Sequence, residues 1–99
     1  MRPNKDELDI REKALGLATA NGVDFNHHKT LEEMTELSTE ILHYFTKPEK
    51  VSKEKLVEEA VDVLICIQVL FRLAQVSKED ILDLYKTKYE KIITLYGKN

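Results

Sequence analysis

The sequence predicts one all-α domain of four helices over residues 1–99. Apolar residues recur at intervals of three and four, which is the spacing of one helix face. Only three glycines and two prolines interrupt the chain, so it has few breakpoints. No segment alternates apolar and polar residues as a half-buried strand does. A length of 99 residues suits a single domain.

The first helix is expected from about Glu7, with Asp6 as its N-cap. It should end at Asn21-Gly22, because both residue types tolerate the left-handed conformation that ends helices. Residues 23–29 are then interpreted as a connector.

The second helix is expected over residues 31–45. Thr30 and Glu33 have the spacing of a capping box, which favours a start at this point. Lys47-Pro48 should end it, because a proline disfavours helical backbone in the residue before it.

Serine residues mark the start of the last two helices. Ser52 is expected to cap a third helix that runs to about Gln75, and Ser77 a fourth helix that Gly97 closes. The third helix is apolar on almost every side between Ala60 and Ala74, yet it contains Asp62. A desolvated carboxylate costs several kcal/mol unless it is paired, protonated or bound to metal, so a compensating group is expected beside Asp62.

Two pairs of carboxylates stand three residues apart, Glu33 with Glu36 and Glu59 with Asp62. This spacing places each pair on one helix face. The short link between the second and third helices predicts antiparallel packing. Both pairs lie in the first half of their predicted helices, so they need not lie level within one hairpin. A long third helix that folds back, or a second subunit, could bring them together. Four carboxylates near one point need a cation, and all-oxygen ligation favours Mg²⁺ or Mn²⁺. The alternative is a solvated surface, because glutamates suit the first turn of a helix.

Composition excludes several classes of function. A net charge of −3 argues against a broadly basic surface for polymeric nucleic acid. The apolar run around residues 63–70 is too short to span a bilayer, so no membrane partner is expected. A single cysteine, Cys66, favours the cytoplasm. So short a chain buries only about 60–65% of its unfolded surface, which favours association.

Two motifs, Glu32-Glu33-x-x-Glu36 and Glu58-Glu59-x-x-Asp62 at the start of an apolar helix, resemble those of the MazG-like all-α nucleoside triphosphate pyrophosphohydrolases. That superfamily includes dimeric dUTPases and dCTP pyrophosphatases. The resemblance implies a helical bundle that assembles as a dimer or a dimer of dimers, with sites that draw on more than one chain. It implies cleavage of an NTP or dNTP between the α and β phosphates.

The resemblance also implies roles for individual residues. Mg²⁺ would be held by Glu33, Glu36, Glu59 and Asp62, which are also the expected catalytic residues. Glu32 and Glu58 are given at most a water-orienting role, and exposure is the simpler expectation.

The relatives often have a late Lys, Asn and Arg-Tyr motif. Lys88 and Tyr96 fit it, but Ile92 and Leu95 replace the Asn and the Arg. Lys88 or Lys91 could still contact substrate phosphate as a simple point charge. The alternative is that both lysines lie on a solvated helix face.

Two alternatives remain open on the sequence. The missing Asn and Arg favour a non-catalytic helical module of the same fold that has lost turnover. Glu40 and His43 have the Glu-x-x-His spacing of di-metal redox bundles, although such sites need two copies of the motif. His27-His28 is interpreted as an exposed pair in the connector.

Overall fold

The computed structural model describes residues 4–97 and contains four α-helices in that range. They are α1 (Lys5–Thr19), α2 (Gly22–Thr46), α3 (Lys53–Leu73) and α4 (Lys78–Tyr96), with a 3₁₀ turn at Pro48–Lys50 between α2 and α3. No strand occurs among these residues. The all-α prediction and the number of helices are confirmed.

The serine caps that the sequence predicts are confirmed. The Ser52 hydroxyl accepts a hydrogen bond from the backbone N–H of Lys55, and Ser77 accepts one from Asp80, both at 3.1 Å. Each bond satisfies one of the backbone donors that the first turn of a helix leaves without a partner. Gly97 is the C-cap of α4, as expected.

The predicted start of α1 is wrong by two residues. Asn4, not Asp6, is the N-cap: its side chain accepts a hydrogen bond from Glu7 N at 2.8 Å. Glu7 completes a capping box by accepting one from Asn4 N at 3.2 Å. This reciprocal pair satisfies two backbone donors at the start of the helix.

The predicted connector at residues 23–29 is helical, so α2 begins about nine residues earlier than expected. Only Ala20 and Asn21 separate α1 from α2, and Gly22 allows the turn by adopting a φ of 90°. Thr30 is not a cap: it is buried inside α2, where its hydroxyl donates to the Asn26 carbonyl at 2.7 Å. Glu33 and Glu36 are therefore central in α2.

Three of the helices pack together. α2 and α3 form a hairpin through the 3₁₀ turn, and α1 packs against both. The buried apolar side chains of the described residues are few: Leu15, Val51, Val63 and Val69. An exposed ion pair between Arg72 and Glu12, at 2.8 Å, joins the end of α3 to α1.

α4 stands apart from this three-helix unit. Among residues 4–97, none of its α-carbons lies within 8 Å of an α-carbon of another helix. Nearly all of its large apolar side chains are exposed, including Tyr85, Tyr89 and Ile92. None of the helices in the described part of the chain has the length and apolar character that crossing a bilayer requires.

Candidate metal centre

Three of the four predicted metal ligands meet between α2 and α3. Glu33, Glu59 and Asp62 each offer a carboxylate oxygen, and these oxygens lie within 4.8 Å of one another. Glu33 and Glu59 are only 7% and 6% exposed, and Asp62 is half-buried. These three carboxylates meet within one chain because α2 and α3 pack as a hairpin through the turn at Pro48–Lys50, so no second subunit is needed to bring them together.

Each buried glutamate has a lysine one turn before it on the same helix. Lys29 Nζ lies 2.9 Å from Glu33 Oε1, and Lys55 Nζ lies 2.9 Å from Glu59 Oε1. These contacts raise the pKa of both lysines, chiefly because each ammonium donates a hydrogen bond to its glutamate. The lysines are about half exposed, so they approach the site from its solvent side.

The second oxygen of each buried glutamate has no partner. Glu33 Oε2 and Glu59 Oε2 are inaccessible to solvent and accept no hydrogen bond within residues 4–97. A buried acceptor of this kind typically costs about 1–3 kcal/mol, and more when it is charged. Asp62 makes no ion pair within the same range.

The donor set fits a hard divalent cation. Three carboxylates converge from two helices, all potential ligands are oxygen atoms, and two of those atoms are buried without a hydrogen bond. With the exposed Glu32 and Glu36 the cluster has five carboxylates and only two lysines beside them, so a net negative charge remains that a cation would offset.

The fourth predicted ligand, Glu36, lies at the edge of the cluster. Its carboxylate offers an oxygen within 4.8 Å of carboxylate oxygens of Glu32 and Glu33, and the residue is exposed. The pKa of Glu36 is raised chiefly by the negative charge of Glu33 and, to a smaller extent, by partial desolvation. Glu32 and Glu58 are exposed, as expected.

The predicted phosphate-contacting lysines lie away from this cluster in the single chain. Lys88 lines a groove between α3 and α4, and Lys91 is exposed on α4. His27 and His28 are exposed, although on α2 and not in a connector. Glu40 and His43 belong to none of the groups of three possible metal ligands in the described residues.

Sequence reasoning missed the lysine partners. Lys29 lies in the predicted connector, and Lys55 lies in the first turn of α3, where only the Ser52 cap was predicted. The signal was nonetheless present, because both lysines precede a buried glutamate by four residues, the spacing of neighbours on a helix face.

Comparisons with known proteins add no family assignment. No protein-family model matches the chain, and no curated protein or solved structure gives a significant match.

Proposed function

We propose that this chain is a divalent-metal-dependent phosphohydrolase. More specifically, we propose a Mg²⁺-dependent nucleoside triphosphate pyrophosphohydrolase of the MazG-like kind, with Mn²⁺ as an alternative ion. The main support is the pair of buried glutamate oxygens without hydrogen bonds beside Asp62. The acidic motifs that resemble those of this superfamily supply the choice of substrate.

The proposed division of labour follows the geometry. Glu33, Glu59 and Asp62 would hold the ion from the buried side, and Glu36 would complete the ligand set from the exposed side. A bound Mg²⁺ supplies ligation of phosphate oxygens and a lower pKa for a coordinated water. One of the glutamates accepts the proton of the attacking water as general base. Lys29 and Lys55 each neutralise part of the negative charge of their glutamate.

We include a second copy of the chain in this proposal, as a homodimer or a dimer of dimers. Few apolar side chains are buried in one copy, and α4 exposes most of its own. An apolar groove of about 560 Å³ lies between α3 and α4. Packing against another copy would cover this groove, and a partner's α4 is the proposed source of the lysine, Lys88 or Lys91, that contacts phosphate at the metal centre.

The direct test is release of pyrophosphate from a panel of NTPs and dNTPs with Mg²⁺. We expect activity in the wild type and a loss of more than about 100-fold in Asp62→Asn. Asp83→Asn is the matched control, because Asp83 is exposed on α4 and belongs to no acidic cluster. No hydrolysis across the whole panel, with either Mg²⁺ or Mn²⁺, would contradict the proposal.

One observation favours a second candidate, a non-catalytic module of the same fold. Ile92 and Leu95 stand where the resembled family has polar residues, and both are exposed apolar side chains on α4. Such a module would bind a Mg²⁺-nucleotide and release no pyrophosphate. Calorimetry beside the hydrolysis assay separates the two candidates.

A further inference from the structure

A second feature adjoins the acidic cluster: a cavity of about 370 Å³ between α1, α2 and α3. Glu33 and Asp62 form part of its wall. The rest of the lining includes the apolar side chains of Phe25, Ile65 and Val69. Its volume lies within the range of small-ligand pockets, about 300–1,000 Å³. One ligand could therefore place a charged group at the carboxylates and an apolar ring in the cavity.

The cavity is also lined by a buried amide, Asn26, which is 6% exposed. Its Nδ2 donates to the carbonyl oxygens of Ala18 at 2.9 Å and Gly22 at 2.8 Å. Two carbonyl acceptors fix the orientation of the amide, because a rotated side chain would bring oxygen against oxygen. The carbonyl oxygen Oδ1 accepts no hydrogen bond from residues 4–97 and remains available to a ligand.

Phe25 precedes this asparagine and contributes an aromatic ring to the cavity wall. The residue is 54% exposed, although it lies in the first turns of a helix that packs on both neighbours. A half-exposed flat ring beside a hydrogen-bond acceptor is a suitable surface for a stacked heterocycle.

We infer that this cavity is the nucleobase subsite of the metal centre, where Phe25 stacks on the base and Asn26 Oδ1 accepts a hydrogen bond from an exocyclic amino group. The inference rests on the proposed function and narrows its substrates to nucleotides whose base carries an exocyclic amino group, for which cytosine and adenine are the test cases. Uracil and hypoxanthine present a carbonyl oxygen at the corresponding position, which would face Oδ1 as a second acceptor.

The first test is binding of nucleoside monophosphates to the full chain with Mg²⁺, measured by calorimetry. We expect CMP to bind at least about 5-fold more tightly than UMP, and AMP more tightly than IMP, since an unpaired acceptor costs about 1–3 kcal/mol. These ligand pairs probe Asn26 without replacing it. That matters because a substitution of Asn26 would also remove two hydrogen bonds at the turn between α1 and α2.

The second test is Phe25→Ala. Loss of stacking should weaken CMP binding by about 5- to 150-fold, because base stacking on an aromatic ring is worth about 1–3 kcal/mol. Binding of Mn²⁺ alone should be unchanged, because the ring is no metal ligand. Phe45→Ala is the control: Phe45 lies on the same helix, is exposed and does not line the cavity.

Failure of the subsite is distinguishable from failure of the enzyme. Equal affinity for CMP and UMP, no binding of either, or CMP binding unaffected by Phe25→Ala would overturn the subsite. Pyrophosphate release and Mn²⁺ binding would still support the proposed function in those cases. Conversely, a preference for CMP over UMP together with weaker CMP binding in Phe25→Ala, without any Mn²⁺ binding, would support the subsite and contradict the metal centre.

Discussion

Two regions depart from ordinary protein packing in opposite ways: one buries charged side chains and the other exposes apolar ones. The first is the centre of the α2–α3 hairpin, and the second is the groove between α3 and α4. In the hairpin, Glu33 and Glu59 are buried carboxylates. In the groove, Tyr89 and Ile92 are exposed apolar side chains. Buried charges need compensation and large exposed apolar patches mark interaction sites. We therefore propose a partner outside the chain for each region, a cation for the first and a protein surface for the second.

The two regions also differ in how far the chain itself compensates them. At the hairpin, Lys29 and Lys55 each neutralise one glutamate oxygen, so the chain itself compensates part of the negative charge. At the groove no such compensation exists in the described residues, because α4 approaches no other helix closely. The apolar region should therefore depend on its partner for stability, and the acidic region for activity.

The largest expected effect is on assembly, through Ile92→Glu in the groove. A carboxylate placed in an apolar interface costs several kcal/mol, so the affinity between copies should fall by more than about 100-fold. Light scattering should then show a monomer where the wild type is a dimer or tetramer. Thr87→Glu adds the same charge to α4 outside the groove and should leave assembly intact. If the wild type is monomeric at high concentration, the groove does not bind a second copy, and this half of the comparison is contradicted.

A smaller effect of opposite sign is expected at the acidic cluster. Asp62→Asn removes one of three converging negative charges, so in EDTA the variant should be more stable than the wild type by about 1 kcal/mol. In saturating Mg²⁺ the order should reverse, because only the wild type gains free energy from the ion. Thermal unfolding in both conditions measures this. A variant that is less stable in EDTA would indicate that Asp62 has a structural partner in the protein and is not a cation ligand.

The smallest effect is expected from the lysines. Lys29→Met removes a positive charge that competes with a cation for Glu33, so Mn²⁺ should bind about 2- to 5-fold more tightly, the scale of a partly exposed ion pair. Stability in EDTA should fall, because Glu33 loses its partner. Lys53→Met, on α3 and outside any ion pair of the described residues, is the control. Weaker Mn²⁺ binding in Lys29→Met would instead assign the lysine to positioning of the glutamate.

The sequence predicted the starts of α3 and α4 correctly and the start of α2 wrongly. The Ser52 and Ser77 caps were predicted correctly because a serine hydroxyl at a helix start accepts a hydrogen bond from a backbone N–H of the first turn, which is a local interaction. The start of α2 was wrong because Thr30 and Glu33 have the same spacing inside a helix as in a capping box. Local patterns do not distinguish these cases, and tertiary packing against α1 and α3 decides between them.

Only part of the site could be predicted. Spacing places Glu59 and Asp62 on one helix face. Their convergence with Glu33 depends on how α2 packs against α3, which spacing does not specify. The cavity beside Phe25 and Asn26 depends on a helical conformation where the sequence predicted a connector. The amphipathic pattern of α4 indicates that its apolar face needs a partner and does not specify which surface provides it.

The most direct test of the account is a titration of the full chain with Mn²⁺, followed by calorimetry and by the spin-resonance signal of the free ion. We predict saturable binding in the wild type that Mg²⁺ competes away. Binding should be at least about tenfold weaker in Asp62→Asn and unchanged in Asp83→Asn. Absence of saturable binding in the wild type, or equal binding in Asp62→Asn, would contradict the claim that these carboxylates are arranged around a divalent cation.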